Sequence, residues 1–267
     1  MPPAGTLFAA AAATVLALLL VAGVAAALQL SAPRRGDAPW RTQLARFAAA
    51  SPWRAADLGW VLLALAAAQL VRAFLPASTA LDVLAFQIAP AAALLGRLRA
   101  KPGALGGAAS ARFVLGQAVL RWLAVLPLLW FVAFSWNVLL TVFGRPAGLQ
   151  EAILRFLEAN SPWTLVPFAF FAVVVAPVAE EVLFRGLLLP LLVRRFGPGA
   201  GLSLVALGFA ALHGDLGSFP GLAVFAGALA LAYVRTGTIL VPIAMHALFN
   251  AANLALLAAL VRAGWMS

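Results

Sequence analysis

The sequence contains no cysteine, and this absence excludes several kinds of site. None of its 267 residues can form a disulfide, act as a thiol nucleophile or bind a metal through a thiolate. Charged residues are also scarce, at 10% of the chain, and only 8 residues are acidic and 2 are histidines. Any acid, base or ligand chemistry must therefore be assigned to a very small set of side chains.

Apolar residues, in contrast, make up 65% of the chain, against roughly half in an ordinary soluble domain. Several apolar runs approach the roughly 20 residues that cross a bilayer as a helix, and no alternating pattern indicates a membrane barrel. We therefore predict an all-α, polytopic membrane protein whose first partner is the lipid bilayer. The net charge of +10 comes from basic loops between apolar runs, which indicates membrane topology and not nucleic-acid binding.

The apolar runs predict about eight transmembrane helices. The basic residues concentrate in alternate loops, which places both chain ends outside a membrane that we take to be the bacterial cytoplasmic membrane. A signal peptide cleaved near residues 25–27 is the alternative interpretation of the first run. The predicted spans are 7–30, 58–75, 80–95, 122–143, 163–193, 202–212, 219–233 and 238–260.

Two polar segments between the spans predict helices at the membrane surface. Segment 31–57 is basic and carries Trp40, Phe47 and Trp53, a composition typical of an interfacial helix with aromatic anchors. In segment 144–162, apolar and charged residues fall on opposite faces of a helix, which predicts a short amphipathic surface helix.

Three charged residues stand inside the apolar run 163–193, where a charge costs a few kcal/mol or more and usually marks a working site. Glu181 and Arg185 are four residues apart, so they share a helix face and can pair. Glu180 points about 100° away and has no local cation, so its desolvated carboxylate is suited to act as a general base. The alternative hypothesis is a buried ion pair that only fixes helix packing.

Both histidines also lie in late apolar segments, and each has a distinctive residue four positions away. Phe209 precedes His213, and Asn250 follows His246, so each pair stacks on one helix face. Either histidine alone is more commonly a packing residue hydrogen-bonded to a neighbouring helix. Together with the charged residues at 180–185, they indicate one polar site inside the membrane.

The three patterns EExxxR, FxxxH and HxxxN resemble those of a known family, the CPBP intramembrane endopeptidases, which group CAAX prenyl proteases with bacteriocin-processing enzymes (Abi). The resemblance covers about residues 163–260. It divides the chain into N-terminal transmembrane helices and basic loops (1–160) and a catalytic membrane core (161–262). The motifs match as Glu180-Glu181-x-x-x-Arg185, Phe209-x-x-x-His213 and His246-x-x-x-Asn250.

The resemblance implies a glutamate-dependent protease embedded in the membrane, of a kind formerly classed as metalloproteases. It implies that Glu180 and His213 activate a water, that His246 and Asn250 form the oxyanion hole, and that Phe209 contacts substrate. Glu181 and Arg185 complete the implied catalytic set. The implied substrate is a membrane-associated peptide or protein, either CAAX-like or related to bacteriocin processing and immunity.

The spacing of the histidines can be compared with that of known zinc-binding motifs. Two histidines and a glutamate could hold a catalytic zinc, but the HExxH arrangement of helical zinc peptidases is missing. The four-residue partners here are Phe209 and Asn250, which are poor zinc ligands. We therefore predict no cofactor, with zinc kept as the alternative.

Two other classes of function remain open at this point. One is a non-catalytic membrane scaffold or bacteriocin-immunity factor with the same fold. The other is a proton-coupled transporter, because intramembrane Glu and His also form proton relays. The predicted spans also place Glu180 and His213 about 10 Å apart in depth, at about 1.5 Å per residue.

Overall fold

The described part of the chain consists mainly of helices. The computed structural model describes residues 4–31, 38–76, 81–82, 84–145 and 162–262. Within these residues every named element is helical, and extended pairing is limited to one bridge between Gly106 and Thr238. The amphipathic helix predicted for 144–162 lies almost entirely outside the described residues.

The helices follow one another in this order along the described chain. One π-helical turn directly precedes α4, at Leu84–Ile88. Two others interrupt α6, at Phe171–Val175 and Val182–Leu188. The bounds are α1 (Ala4–Ser31), α2 (Trp40–Ala50), α3 (Ala55–Ala73), α4 (Ala89–Leu95), α5 (Ala111–Val142), α6 (162–196), α7 (Pro198–Ala211), α8 (Phe219–Thr236) and α9 (Leu240–Arg262).

Six helices of the described chain are long and apolar enough to cross a membrane, namely α1, α3, α5, α6, α8 and α9. This confirms the all-α, polytopic class. The other two predicted spans correspond to α4, with 7 residues, and α7, with 14 residues, and at 1.5 Å per residue neither reaches across the roughly 30 Å hydrocarbon layer. The expected total of eight spans is therefore not confirmed.

Helix α8 lies at the centre of the packing. One of its faces contributes Ala226 and Ala230 to a buried cluster with α2, α6 and α7. Another face contributes Phe225 and Leu229 to a cluster with α5 and α9. All four side chains are 0% exposed, so α8 joins the helices that carry the three motifs.

Trp53 does not have the interfacial position that the sequence suggested. Its side chain is 0% exposed, and its Nε1 donates a hydrogen bond of 3.2 Å to the Ala104 carbonyl. The prediction was wrong because a buried backbone acceptor satisfies the indole N–H, so the ring does not need the wet membrane boundary. Helix α2 also buries Leu44 and Ala48 against the core.

A buried carboxylate ties the loop after α4 to the start of α3. Asp57 is 1% exposed and pairs with Arg97 at 2.7 Å and with Lys101 at 2.9 Å. Its other hydrogen bond comes from the backbone N–H of Arg54 at 2.8 Å. Two cations and a backbone donor compensate for the burial of this charge.

Residues 101–107, which we call the clasp, continue from this ion cluster into the core. The Ile239 N–H donates to the Leu105 carbonyl at 3.0 Å, and the Gly107 N–H donates to the Gly237 carbonyl at 2.9 Å. The Leu105 side chain lies against Gly186 of α6. The clasp thereby contacts both the helix that carries EExxxR and the turn that precedes the helix of HxxxN.

Helices α6 and α7 form a tight antiparallel hairpin with Gly197 alone between them. Gly197 has φ of 82°, a left-handed conformation that favours glycine. At Gly201 an added Cβ would lie 2.6 Å from the Val193 backbone. The two helices can therefore approach closely only because residue 201 has no side chain.

Each of the π-helical turns among the described residues is followed by a proline at the second position of the resumed α-helix, namely Pro90, Pro177 and Pro190. Proline has no N–H, and its ring clashes with the carbonyl four residues earlier in a regular helix. A wider turn relieves that clash. The prolines therefore explain why α6 is interrupted on both sides of its charged residues.

Candidate active site

The hairpin brings Glu180 and His213 to the same level along the axis of α6. Glu180 lies seventeen residues before Gly197 and His213 lies sixteen residues after it, so at an equal rise per residue the two are level. The expected depth difference of about 10 Å was wrong, because α7 begins at Pro198 and runs directly back along α6. Contacts connect the two through other rings, since Phe209 contacts both histidine rings and His246 Nε2 lies 3.9 Å from Glu180 Oε2.

Glu181 and Arg185 form the ion pair that their spacing predicted. An Arg185 Nη atom lies 2.9 Å from Glu181 Oε1, and both side chains are 0% exposed. The second Nη donates to the Ala226 carbonyl of α8 at 3.0 Å. Arg185 therefore neutralises a buried carboxylate and links α6 to the central helix.

His246 is oriented by the same carboxylate. Its Nδ1 lies 2.9 Å from Glu181 Oε1, and because a carboxylate paired with arginine only accepts hydrogen bonds, this nitrogen carries a proton. The opposite nitrogen, Nε2, lies 3.9 Å from Glu180 Oε2. Glu181 thus fixes the His246 ring so that Nε2 faces the second carboxylate.

The two carboxylates differ in their contacts: Glu181 Oε1 accepts from Arg185 and His246, and the Oε2 atoms of both residues are buried without a hydrogen-bond partner in the described part of the chain. The side chain of Glu180 is 17% exposed, whereas that of Glu181 is 0% exposed. A carboxylate oxygen that is buried, unpaired and next to an imidazole is expensive for stability. That combination is what a general base requires.

His213 lies just beyond the end of α7, where it is exposed. Its Nδ1 is 2.8 Å from the Phe209 carbonyl, and since a carbonyl accepts, Nδ1 is the donor. The carbonyls of a last helical turn lack intrahelical donors, so this bond also caps α7. In the neutral ring, Nε2 is then left with a lone pair that can take a proton.

Phe209 lies between the other motif residues. Its ring centroid is 4.8 Å from that of His213 and 5.7 Å from that of His246. The guanidinium carbon of Arg185 lies 4.5 Å from the ring centroid, within range of a cation–π contact. The side chain is 1% exposed and also packs against Phe184 in the apolar core. Its implied contact with substrate stays a prediction.

Asn250 uses its amide in a helix contact. Nδ2 donates a hydrogen bond of 2.7 Å to the Ala172 carbonyl in the first π turn of α6. Its implied part in an oxyanion hole stays a prediction. Ala172 was not predicted from the sequence, because in a regular α-helix its carbonyl would accept from the N–H of residue 176; only the π turn shifts that N–H to the Phe171 carbonyl.

A catalytic zinc ion is typically held by three protein side chains. Within the described residues, no group of three or more His, Asp or Glu side chains is arranged to hold one. Glu180, Glu181 and His246 are the nearest approach, but Glu181 is already engaged by Arg185 and His246. The prediction of a cofactor-free site stays a prediction.

Residues 162–252 match the model of a family described as Type II CAAX prenyl endopeptidase Rce1-like. The match covers about a third of the chain and contains all three motifs, which confirms the resemblance to the CPBP family. The family is one of membrane proteases, so the match supports protease activity of the CAAX type. No curated protein and no solved structure was found to match the chain.

Proposed function

We propose that this chain is an intramembrane endopeptidase that hydrolyses a peptide bond of a membrane-associated peptide or protein with a water activated by Glu180. The observation that carries the proposal is the buried Oε2 of Glu180, which makes no hydrogen bond in the described part of the chain and lies 3.9 Å from Nε2 of His246. Glu180 belongs to α6, which is long and apolar enough to cross a membrane, where a carboxylate without a function would be costly.

The proposed reaction uses the side chains in the following way. Glu180, assisted by His213, takes a proton from water as the oxygen bonds to the scissile carbonyl carbon. The imidazolium form of His246 keeps Nδ1–H on Glu181 and donates Nε2–H to the developing oxyanion. The proton on Glu180 then passes to the amine nitrogen as the C–N bond breaks, which regenerates the carboxylate.

The family match and the apolar surface of α6 support a proposal for the substrate class. Because the matched family is described as prenyl endopeptidases, we propose a protein with a lipid-modified C-terminus as the first candidate. A bacteriocin precursor or an immunity-related protein is the second candidate. The apolar surface of α6, with Val166, Phe170 and Val174 exposed, favours substrates that are themselves held in the membrane.

The test is a comparison of trimmed membrane peptides in cells that carry the wild type, Glu180→Gln or His213→Ala. We expect a set of C-terminally shortened products that is present with the wild type and lost with both variants. Asn253→Ala is the matched control, because Asn253 is exposed on α9 and is expected to leave the products unchanged. Identical peptide profiles with equal amounts of folded protein would support the non-catalytic scaffold instead.

Chelation distinguishes an enzyme whose histidines act through hydrogen bonds from one whose histidines bind a metal ion. Purified enzyme is expected to keep its activity after prolonged dialysis against a strong chelator, because Glu181, one of the candidate ligands, already accepts hydrogen bonds from Arg185 and His246. Phe209 and Asn250 are, in addition, poor zinc ligands. Elemental analysis should find much less than one zinc per chain. Loss of activity that added zinc restores would instead make the histidines metal ligands.

A further inference from the structure

The Ala172 carbonyl of α6 lacks a donor from its own helix. The Ala172 carbonyl could accept from residue 176 in the α register or from residue 177 in the π register. The N–H of Ala176 is used by the Phe171 carbonyl, and residue 177 is a proline without an N–H. Ala172 therefore needs a donor from outside α6.

Asn250 of α9 supplies that donor, through the 2.7 Å bond from its Nδ2. One turn earlier on the same helix, His246 is bound to Glu181 at 2.9 Å. The two side chains attach α9 to α6 on either side of Pro177. The turn of α9 from His246 to Asn250 is consequently attached to α6 at both of its ends.

We propose that Asn250 is a positioning residue, which replaces the backbone donor that Pro177 removes and thereby holds His246 against Glu181. Its effect on the rate rests on the proposed function, but its effect on stability does not. The proposal separates Asn250 from a direct role in stabilising the oxyanion. For a direct role, the effect of replacing Asn250 would not depend on which residue stands at position 177.

The first experiment measures stability in the inactive Glu180→Gln background, in which no oxyanion forms. Adding Asn250→Ala should lower the melting temperature by roughly 5 °C, because it removes the donor of the part-buried Ala172 carbonyl. Asn253→Ala in the same background is the control and should change it by less than about 1 °C. Equal melting temperatures for the two variants would overturn the proposal, whether or not the chain is a protease.

The second experiment is a double-mutant cycle with Pro177→Ala, which gives residue 177 an N–H that can reach Ala172. Asn250→Ala alone should lower kcat by roughly 10- to 100-fold, whereas in the Pro177→Ala background the further loss should be under about threefold. If Asn250 instead donated directly to the oxyanion, Asn250→Ala would lower kcat by the same factor in both backgrounds. That result would overturn the proposal. If Pro177→Ala does not fold, the stability measurement alone decides.

Discussion

Replacing Glu180 by glutamine is expected to lower the peptidase rate about a thousandfold while leaving the fold intact. Glutamine has nearly the same volume but cannot take a proton from water. Because Glu180 Oε2 is buried without a hydrogen-bond partner, the neutral amide should unfold at the same temperature as the wild type or slightly higher. Single-turnover rates on a cleaved peptide and thermal unfolding in the same detergent measure both effects.

The control for this prediction is Glu181→Gln, the neighbouring carboxylate. Glu181 accepts hydrogen bonds from Arg185 and His246, so its neutral form should lower the melting temperature as well as the rate. Only the Glu180 variant should separate activity from stability. A Glu180→Gln enzyme with more than a tenth of the wild-type rate would remove Glu180 from the role of base.

Replacing Arg185 by methionine is expected to cost about 3–5 kcal/mol of unfolding free energy, because it removes the arginine that neutralises the buried Glu181 carboxylate and leaves that carboxylate only its contact with His246. The Ala226 carbonyl loses its donor in the same change. We expect little folded protein and a melting temperature lower by about 10 °C, since each kcal/mol shifts it by about 2–4 °C in a chain of this size. Size-exclusion yield and thermal unfolding measure the effect.

Two further variants isolate the cause of that loss. Arg72→Met breaks a 2.7 Å pair with Asp82, whose side chain is 51% exposed, and should cost under about 1 kcal/mol. Adding Glu181→Gln to Arg185→Met should restore part of the stability, because it removes the stranded charge. If Arg185→Met were as stable as Arg72→Met, the buried pair would not hold the fold together.

The helices and the pairing within the first motif could be predicted because both depend on local sequence. Apolar runs long enough to span a bilayer became α1, α3, α5, α6, α8 and α9, since such a run must satisfy its backbone internally. The spacing of Glu181 and Arg185 fixed their pairing for the same local reason. The short helices α4 and α7 were predicted as spans because apolarity does not reveal where a helix ends.

The contacts between the motifs could not be predicted, because they depend on how the helices pack. That Glu181 binds His246, that Asn250 binds Ala172 and that Phe209 stands between the histidines follows from the positions of α6, α7 and α9. The burial of Trp53 and Asp57 was missed for the same reason. Their partners lie in the loop after α4, forty or more residues away.

The clasp makes the C-terminal part of the chain depend on the N-terminal part. Its residues 101–107 precede the boundary at 160, yet Leu105 lies against Gly186, one residue from Arg185, and its carbonyl accepts from Ile239. Residues 161–262 joined to unrelated N-terminal helices would lack both contacts. We therefore expect the C-terminal part to lose stability when it is separated from the segment from Trp53 to Gly107.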